Sequence, residues 1–438
     1  MVGLTDSDTQ ELVRQVDSSM ALAERLFDDL ARETADEEGV TRASYGEGEQ
    51  IAYDLVLDAA KEIGLEIDTD LAGNAYLTLP GRDRNLPRVI TGSHLDSVPK
   101  GGNYDGAAGV VAGVAALAAI KQAGIAPPCD LTVMAIRSEE CSSWFSGRHG
   151  GHLGSRAALG LMRPDELDTA IHLGTGLTLG EQMARCGLDP KRLIESPPHL
   201  TGDGIAAYIE LHIEQGPVLE TAGLPVGVVT GIRGNARARN ARCLGEYTHS
   251  GAVPQSYRRD AVLAGAELAL AIEREAQAVL DGGGDIVFAA GRFHTDADMH
   301  SLSKVPGELR FTLDIRSLDQ GTLTRMSDFA SARAEEIAAR RGVRFELGGF
   351  DFSSPTVMEK AHREKLSEGC ETLGIPAMDI ASGGGHDAQE FERCGVPASM
   401  IFVRNANGSH NADEAMEMAD FALGARLLAW MLASGFER

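Results

Sequence analysis

Three residues that could bind a metal or activate water lie close together in the first quarter of the chain. His94 and Asp96 follow the hydrophobic pair Val89–Ile90, and Asp105 lies in the glycine-containing loop that comes next. An imidazole and carboxylates that meet at one point favour a metal site. The alternative is structural, since His94 and Asp96 could close a turn and Asp105 could cap a helix.

A pair of adjacent glutamates follows a second hydrophobic run. Glu139 and Glu140 come directly after Asp130–Arg137, which has the composition of a buried strand. Two neighbouring ionised carboxylates repel each other, which costs free energy unless a cation is near. One of them could bind that cation while the other acts as a base. The alternative is a solvated acidic turn.

Two further histidines follow predicted strands much later in the chain. His212 lies in the strand Ala207–Pro217, His410 follows the strand Pro397–Val403, and His386 is a reserve candidate. Histidines and carboxylates together suit zinc, and also manganese, cobalt or nickel. The histidines between residues 142 and 200 are instead predicted to be surface or packing residues: His149, His152, His172 and His199.

The elements around these residues predict how they meet. A strand at Arg88–Gly92, a helix over Ala107–Ile120 and a strand at Asp130–Arg137 form a β-α-β unit with parallel pairing. Ligands of open α/β sheets gather beyond the carboxyl ends of the strands. The candidates that follow strands should therefore lie at one edge of a sheet.

The length and the change of pattern along the chain predict two domains. A chain of 438 residues exceeds one ordinary core. Residues 1–217 and 331–438 are predicted to form a discontinuous catalytic domain, and residues 218–330 a smaller inserted α+β domain. The strand that begins at Arg344 is expected to resume the main sheet.

The composition excludes some classes of partner. With 65 acidic and 40 basic residues the formal net charge is -25, which disfavours nucleic acid and anionic membranes. Apolar runs are too short to span a bilayer, and the amino-terminal residues are polar and acidic rather than typical of a signal peptide. The six cysteines are scattered without a CxxC pair. A reducing cytoplasm is therefore the expected location.

Several motifs resemble one branch of a known enzyme clan. The chain is similar to the M20 metallopeptidase clan, in its N-carbamoyl-L-amino acid hydrolase and allantoate amidohydrolase (hydantoinase/carbamoylase) family. The His-Ile-Glu-Gln-Gly-Pro string from His212 is the most specific to that branch. The motifs that carry the resemblance are Ser93–Val98, Tyr104–Gly106, Glu139–Glu140, Glu210–Glu220, Phe311–Arg316 and Ser382–Ala388.

The resemblance implies two divalent metal ions per subunit, zinc or else manganese, cobalt or nickel. His94, Asp105 and His212 would hold one ion. Asp105 would bridge to the second ion, held also by Glu140 and His410. Glu139 would then be the general base. The spacing of Asp96 from His94 suits a residue that orients the imidazole.

The inserted domain resembles the lid and dimerisation domain of that family. His249 would stabilise the oxyanion, often in the site of the partner subunit of a homodimer. Gln215, Ser303 and Arg316 match substrate contacts, and a guanidinium suits a substrate carboxylate. Ser303 stands where the family commonly has asparagine, so a bidentate amide contact is expected to be lost.

The implied fold is α/β, with a phosphorylase/hydrolase-like catalytic domain that has a mixed sheet between helices, plus the inserted α+β domain. The implied function is hydrolysis of a linear C–N bond in an N-carbamoyl amino acid or related ureido acid. The alternatives are an allantoate amidohydrolase, or an aminoacylase or dipeptidase on the same scaffold. A catalytically dead binding protein is the non-enzymatic alternative.

Overall fold

The computed structural model describes residues 4–147 and 150–436 of the chain. It has two compact units. The first comprises Met1–Thr230, Met358–Ile380 and Gly385–Arg438, and the second comprises Gly231–Val357 and Ala381–Gly384. The catalytic and lid roles expected for residues 1–217 with 331–438 and for residues 218–330 stay predictions.

A mixed sheet of parallel and antiparallel strands organises the first unit, which confirms the predicted fold class. The strand Arg88–His94 pairs in parallel with Leu131–Ile136, and Thr91 lies opposite Val133. The predicted crossover helix connects these two strands. Arg88–His94 also pairs in parallel with Ile205–Ile213. The strand order is Glu66–Thr69, Ala75–Leu79, Leu131–Ile136, Arg88–His94, Ile205–Ile213, Ala398–Val403, Val226–Ile232 and Thr356–Val357, with Ala377–Ser382 beside Val226–Ile232.

The crossover helix Ala107–Gln122 lies in the middle of the core. Every residue from Ala107 to Ile120 is buried, because its small side chains let the helix pack between the sheet and the helices Asp6–Glu33 and Met418–Ala433. The other helices of the first unit are Glu47–Ile63, Cys141–Trp144, Leu153–Ala158, Glu166–Thr169, Leu179–Arg185, Pro190–Glu195, Gly202–Gly204 (3₁₀), Val218–Ala222, Lys360–Leu373 and Ala388–Arg393, and the short strands Phe145–Gly147 and Ala170–His172 pair with each other.

The second unit is an antiparallel sheet with helices on one face. Along Gly234–Leu244 the alanines are buried in the core and the arginines are partly or fully exposed. The two-residue alternation of a strand is interrupted between Ala238 and Ala241, where the pairing register shifts. The helices Ala261–Asp281 and Gln320–Arg341 cover the apolar face. The strand order is Val287–Ala289, Glu308–Ser317, Gly234–Leu244 and Arg344–Glu346, with Phe293–His294 beside Glu308–Ser317 and Asp351–Ser353 beside Gly234–Leu244; Thr248–His249 pairs with Lys304–Val305, and Gln255–Tyr257 is a 3₁₀ turn.

The strand that begins at Arg344 does not return to the main sheet, so that prediction is wrong. Arg344–Glu346 pairs antiparallel with Gly234–Leu244 in the smaller sheet. The preceding helix ends at Gly342, whose φ of +66° is left-handed. This conformation is readily adopted by glycine and ends the helix. The residues that follow, Val343 and Phe345, pack in the apolar core of the second unit, and this places the strand in the smaller sheet.

Among the described residues, no helix combines the length and the apolar character that a membrane span requires.

Candidate metal centre and its surroundings

The predicted candidates of the first unit meet beyond the carboxyl ends of neighbouring strands. His94 is the last residue of Arg88–His94, and His212 is the penultimate residue of the parallel neighbour Ile205–Ile213. Both imidazoles are almost fully buried. Parallel strands end at the same edge of a sheet, and for this reason residues distant in sequence come together.

Asp105 lies between two groups of side chains. Its Oδ1 is 3.2 Å from His212 Nε2 and 3.6 Å from His94 Nε2, whereas its Oδ2 is 3.3 Å from His410 Nε2. His410 Nε2 is also 2.8 Å from Glu140 Oε1. The candidate ligand atoms of each group lie within 4.8 Å of one another, and the two groups share Asp105.

The tautomers of two imidazoles follow from their backbone contacts. His94 Nδ1 is 3.0 Å from the carbonyl oxygen of Asp96, and His212 Nδ1 is 2.9 Å from that of Ile213. A carbonyl can only accept, so both Nδ1 atoms donate and both Nε2 atoms face Asp105. Asp105 Oδ1 is buried, and within the described part of the chain it accepts no hydrogen bond. Converging lone pairs of this kind fit a divalent cation.

The pKa values report the same convergence. Burial lowers the pKa of His94, but the carboxylates of Glu139, Asp96 and Asp105 raise it well above its ordinary value. Burial raises the pKa of Asp105, but its histidine neighbours hold it well below its usual range. Hydrogen bonds to Asp105 and Glu140 raise the pKa of His410 to about 10. The carboxylates and imidazoles therefore interact strongly at this point, and a positive charge between them would stabilise the ionised form of Asp105.

The two adjacent glutamates are held through their backbone. The N–H groups of Glu139 and Glu140 donate to Asp96 Oδ1 and Oδ2, each at 3.0 Å, and Ser44 Oγ donates to Oδ2 at 2.5 Å. Ser138, just before them, has a φ of +56°, a strained value for a residue with a side chain. Asp96 Oδ1 is 3.4 Å from His94 Nδ1, so this carboxylate serves the glutamate pair as well as the imidazole.

The side chain of Glu139 lies between two histidines. Its Oε2 is 3.8 Å from His94 Nε2, and its Oε1 is 3.2 Å from His152 Nε2. Burial raises the pKa of Glu139, but His94 and His152 lower it to about 2. Glu139 is thus ionised, which a general base requires. By contrast, burial raises the pKa of Glu140 to about 7.

His152, predicted to be a surface or packing residue, has a mostly buried ring that contacts Glu139. Nothing in its spacing indicates this contact, because the sequence between Glu139 and His152 has no periodic pattern. His172 accepts backbone hydrogen bonds from Gly174 and Thr175, and His199 packs against Tyr76. His149 lies outside the described residues.

Residues around Asp105 hold its second oxygen. Gln215 Nε2 donates to Oδ2 at 2.9 Å, and Ser409 Oγ lies 2.6 Å from the same oxygen. Glu414 Oε1 accepts the backbone N–H of Asp105 at 3.2 Å. Sequence reasoning missed Ser409 and Glu414, although both belong to the Ser-His-Asn-Ala-Asp-Glu string that contains His410. Gln215, expected at the substrate, contacts Asp105.

His386, the reserve candidate, packs edge-on against His212, with ring centroids 4.6 Å apart. Burial and the neighbouring His212 lower its pKa well below the ordinary value. Glu210, His212 and His386 also lie close enough to hold an ion. His212 Nε2 already faces Asp105, so this third group competes for the same ligand atom.

The remaining candidates belong to the second unit. His249 pairs with Lys304 across two short strands, and the backbone N–H of Ser250 donates to the carbonyl of Ser303 at 2.8 Å. His249 Nδ1 accepts N–H groups from Gly251 and Ala252, which leaves the proton on Nε2. The exposed ring can thus donate a hydrogen bond through Nε2.

Arg316, the candidate for binding a substrate carboxylate, is held by its own strand. Its Nη2 donates to Asp314 Oδ2 at 2.8 Å, and Nη1 donates to the carbonyl of Gly383. Arg237 Nε is 3.2 Å from Asp314 Oδ1. Two guanidinium groups therefore share one carboxylate, which leaves a net positive charge for an anionic group.

Comparison with known proteins agrees with this geometry. Residues 90–434 match the model of peptidase family M20/M25/M40. The chain belongs to this family. It is 36% identical over 402 residues to an N-carbamoyl-L-amino acid amidohydrolase of Geobacillus stearothermophilus, covering 91% of this chain and 94% of that protein. It is 32% identical over 375 residues to an allantoate amidohydrolase of Escherichia coli, covering 84% and 86%.

Solved structures of family members have the same fold. An amidase of the hydantoinase/carbamoylase family from Burkholderia multivorans superimposes with a TM-score of 0.84 at 29% identity, covering 94% of this chain and 97% of that one. The family is metal-dependent, and this chain carries the candidate ligand groups described above. The expected family membership and fold are confirmed.

Proposed function

We propose that this protein is a dinuclear-metal amidohydrolase that cleaves a linear C–N bond of an N-carbamoyl amino acid or related ureido acid. The observation that carries the proposal is Asp105, whose two oxygens face separate ligand groups beside the ionised Glu139. The N-carbamoyl-L-amino acid amidohydrolase and allantoate amidohydrolase relatives support the substrate class.

Each metal ion has its own ligand set around the shared Asp105. His94 and His212 would hold one ion together with Asp105, and Glu140 and His410 would hold the other together with the same residue. Zinc, or else manganese, cobalt or nickel, suits this mixture of imidazole and carboxylate. When bound, such a pair of ions lowers the pKa of water and polarises the carbonyl of the substrate.

The protein residues supply proton transfer and charge stabilisation. Glu139 takes a proton from the attacking water and delivers it to the leaving nitrogen as the C–N bond breaks. His249 donates its Nε2–H to the oxygen that becomes negative. Arg316 binds the substrate carboxylate. Ser303 and Gln215 contribute polar contacts to the same substrate, and Asp96 fixes His94 and the glutamate pair.

A homodimer formed through the second unit would let His249 act in the site of a partner subunit. This can be tested by mixing purified His249→Ala and Glu139→Gln proteins after dissociation. If the histidine acts in trans, mixed dimers regain one complete site, and activity returns to about a quarter of the parent value. Inactive mixtures in which mixed dimers have formed would place the histidine in the site of its own subunit. A cytoplasmic location stays a prediction, and it agrees with the absence of disulfide bonds among the six cysteines that the structure describes.

The proposal is tested by assaying purified, metal-loaded protein on N-carbamoyl amino acids, allantoate, N-acetyl amino acids and dipeptides. Release of amine or ammonia from the carbamoyl or ureide substrates is the expected result. Glu139→Gln should reduce it to a small residual rate while the metal content is kept. Turnover of only acyl or peptide substrates would favour an aminoacylase or dipeptidase, and no turnover of any substrate by the metal-loaded protein would favour a binding protein.

A further inference from the structure

His152 is enclosed between two carboxylates. Its Nε2 is 3.2 Å from Glu139 Oε1, and its Nδ1 is 3.1 Å from Glu390 Oε1. Only 12% of its side chain is exposed. Ionised carboxylates only accept hydrogen bonds, so both ring nitrogens donate and the imidazole links the two acids.

Glu390 and the backbone of His152 are themselves held in place. Arg393 Nη1 donates to Glu390 Oε2 at 2.8 Å, and Gln389 Nε2 donates to Oε1 at 3.2 Å. His152 precedes the buried helix Leu153–Ala158, and its carbonyl accepts the N–H of Arg156. Its backbone is left-handed, at φ +50° and ψ +53°, a conformation in which histidine and asparagine are enriched. The ring therefore has a rigid support.

We propose that His152 is a positioning residue for Glu139, holding one carboxylate oxygen so that the other stays directed at the reacting water. The inference rests on the proposed role of Glu139 as general base. Glu139 Oε2, the oxygen that His152 leaves free, is the one nearer to the metal ligand His94. A base works only within a narrow range of distance and angle, so an untethered glutamate side chain would spend time in unproductive rotamers.

The test compares His152→Asn with His152→Gln. The asparagine amide reaches the position of Nδ1 and keeps the contact with Glu390, whereas the glutamine amide reaches the position of Nε2 and keeps the contact with Glu139. We expect His152→Asn to lower kcat about 10- to 100-fold with KM and metal content unchanged. His152→Gln should recover kcat to within a few-fold of the parent.

Thermal unfolding separates positioning from a purely structural role. Asparagine suits the left-handed backbone better than glutamine, so His152→Asn should be the more stable of the two variants. Activity and stability should therefore rank the two variants in opposite order. Equal kcat values, or a higher kcat for His152→Asn, would overturn the inference. Should His152→Asn fail to fold, Glu390→Ala decides by the same kcat and KM measurement, and an unchanged kcat would overturn it.

The Glu139→Gln background distinguishes this inference from the proposed function. If Glu139→Gln is inactive and His152→Asn is fully active, only the positioning role fails. If Glu139→Gln is fully active, the proposed base fails and the positioning role fails with it. Adding His152→Asn to Glu139→Gln should not lower its residual kcat further. If His152→Asn lowered kcat by the same factor in Glu139→Gln as in the parent, a role through Glu139 would be contradicted.

Discussion

Replacing Asp96 by asparagine tests whether one carboxylate holds the glutamate pair. Asp96 accepts the N–H groups of Glu139 and Glu140 through separate oxygens. An amide group keeps one acceptor and replaces the other with a donor. The NH₂ group is disfavoured at Oδ1, because there it would face both the Glu139 N–H and His94 Nδ1–H, 3.4 Å away. It should therefore occupy the Oδ2 position.

The cost follows from the donors that this orientation brings together. The hydroxyl of Ser44 can rotate and accept one N–H of the new amide. The N–H of Glu140 and the second N–H of the amide then face each other without an acceptor. Each buried donor without a partner costs about 1–3 kcal/mol, so Asp96→Asn should lower the free energy of unfolding by about 2–6 kcal/mol.

The orientation also predicts which function is lost. The backbone N–H of Glu139 keeps its oxygen acceptor at residue 96, whereas the backbone N–H of Glu140, a proposed metal ligand, loses its acceptor. Metal affinity should fall about 10- to 100-fold, and added metal should restore much of kcat. The assays are denaturant unfolding of metal-free protein and activity against metal concentration. As a control, Ser44→Ala removes one donor but keeps both backbone contacts, so its metal affinity should change little. Parent-like stability and metal affinity in Asp96→Asn would refute this reasoning.

Three further predictions concern the metal site and acid stability. Gly106→Ala should lower metal content and activity, since a Cβ at this position would lie 2.4 Å from the imidazole of His94. The matched control is Gly124→Ala, which has a similar φ of +69° but no heavy atom within 4 Å of the new Cβ. Equal metal content in the two variants would contradict this prediction. Chelation should abolish turnover and lower the melting temperature, both reversed by one of the four candidate divalent ions; full activity of metal-free protein would refute metal dependence. Burial lowers the pKa of His362 from 6.5 to about 4. The unfolded state therefore binds more protons between these values, and acidification from pH 6.5 to 4 should remove about 3 kcal/mol of stability. In denaturant unfolding, the free energy of unfolding of His362→Phe should fall by about 3 kcal/mol less than that of the parent over the same pH range. Identical pH dependence of stability in the parent and in His362→Phe would exclude this contribution.

Local patterns were enough to predict the main sheet and the residues at its edge. The apolar runs around Arg88–His94 and Leu131–Ile136, with a helix between them, predicted a buried parallel pair, because such runs are typical of strands covered on both faces of a sheet. Strand ends in such a sheet share one edge, which brings His94, Glu139 and His212 together. The residue types at those ends then indicated the chemistry.

Local patterns failed for the strand that begins at Arg344 and for His152. Arg344–Glu346 has the composition of a strand for either sheet, and packing of Val343 and Phe345 in the core of the second unit places it in the smaller one. His152 lies in a glycine-containing loop whose path has no periodic signal, so its contact with Glu139 could not be read from spacing. The dual use of Asp96 was hidden for the same reason.

The sequence by itself determined which elements form and which residue types lie at their ends, because hydrophobic periodicity and loop composition act over a few neighbouring residues. The tertiary structure alone decided which oxygen of Asp105 faces which histidine, and which neighbour holds each carboxylate of the glutamate pair. Such choices depend on atoms brought within a few ångströms from distant parts of the chain. These contacts can form only after the sheet has brought the residues together.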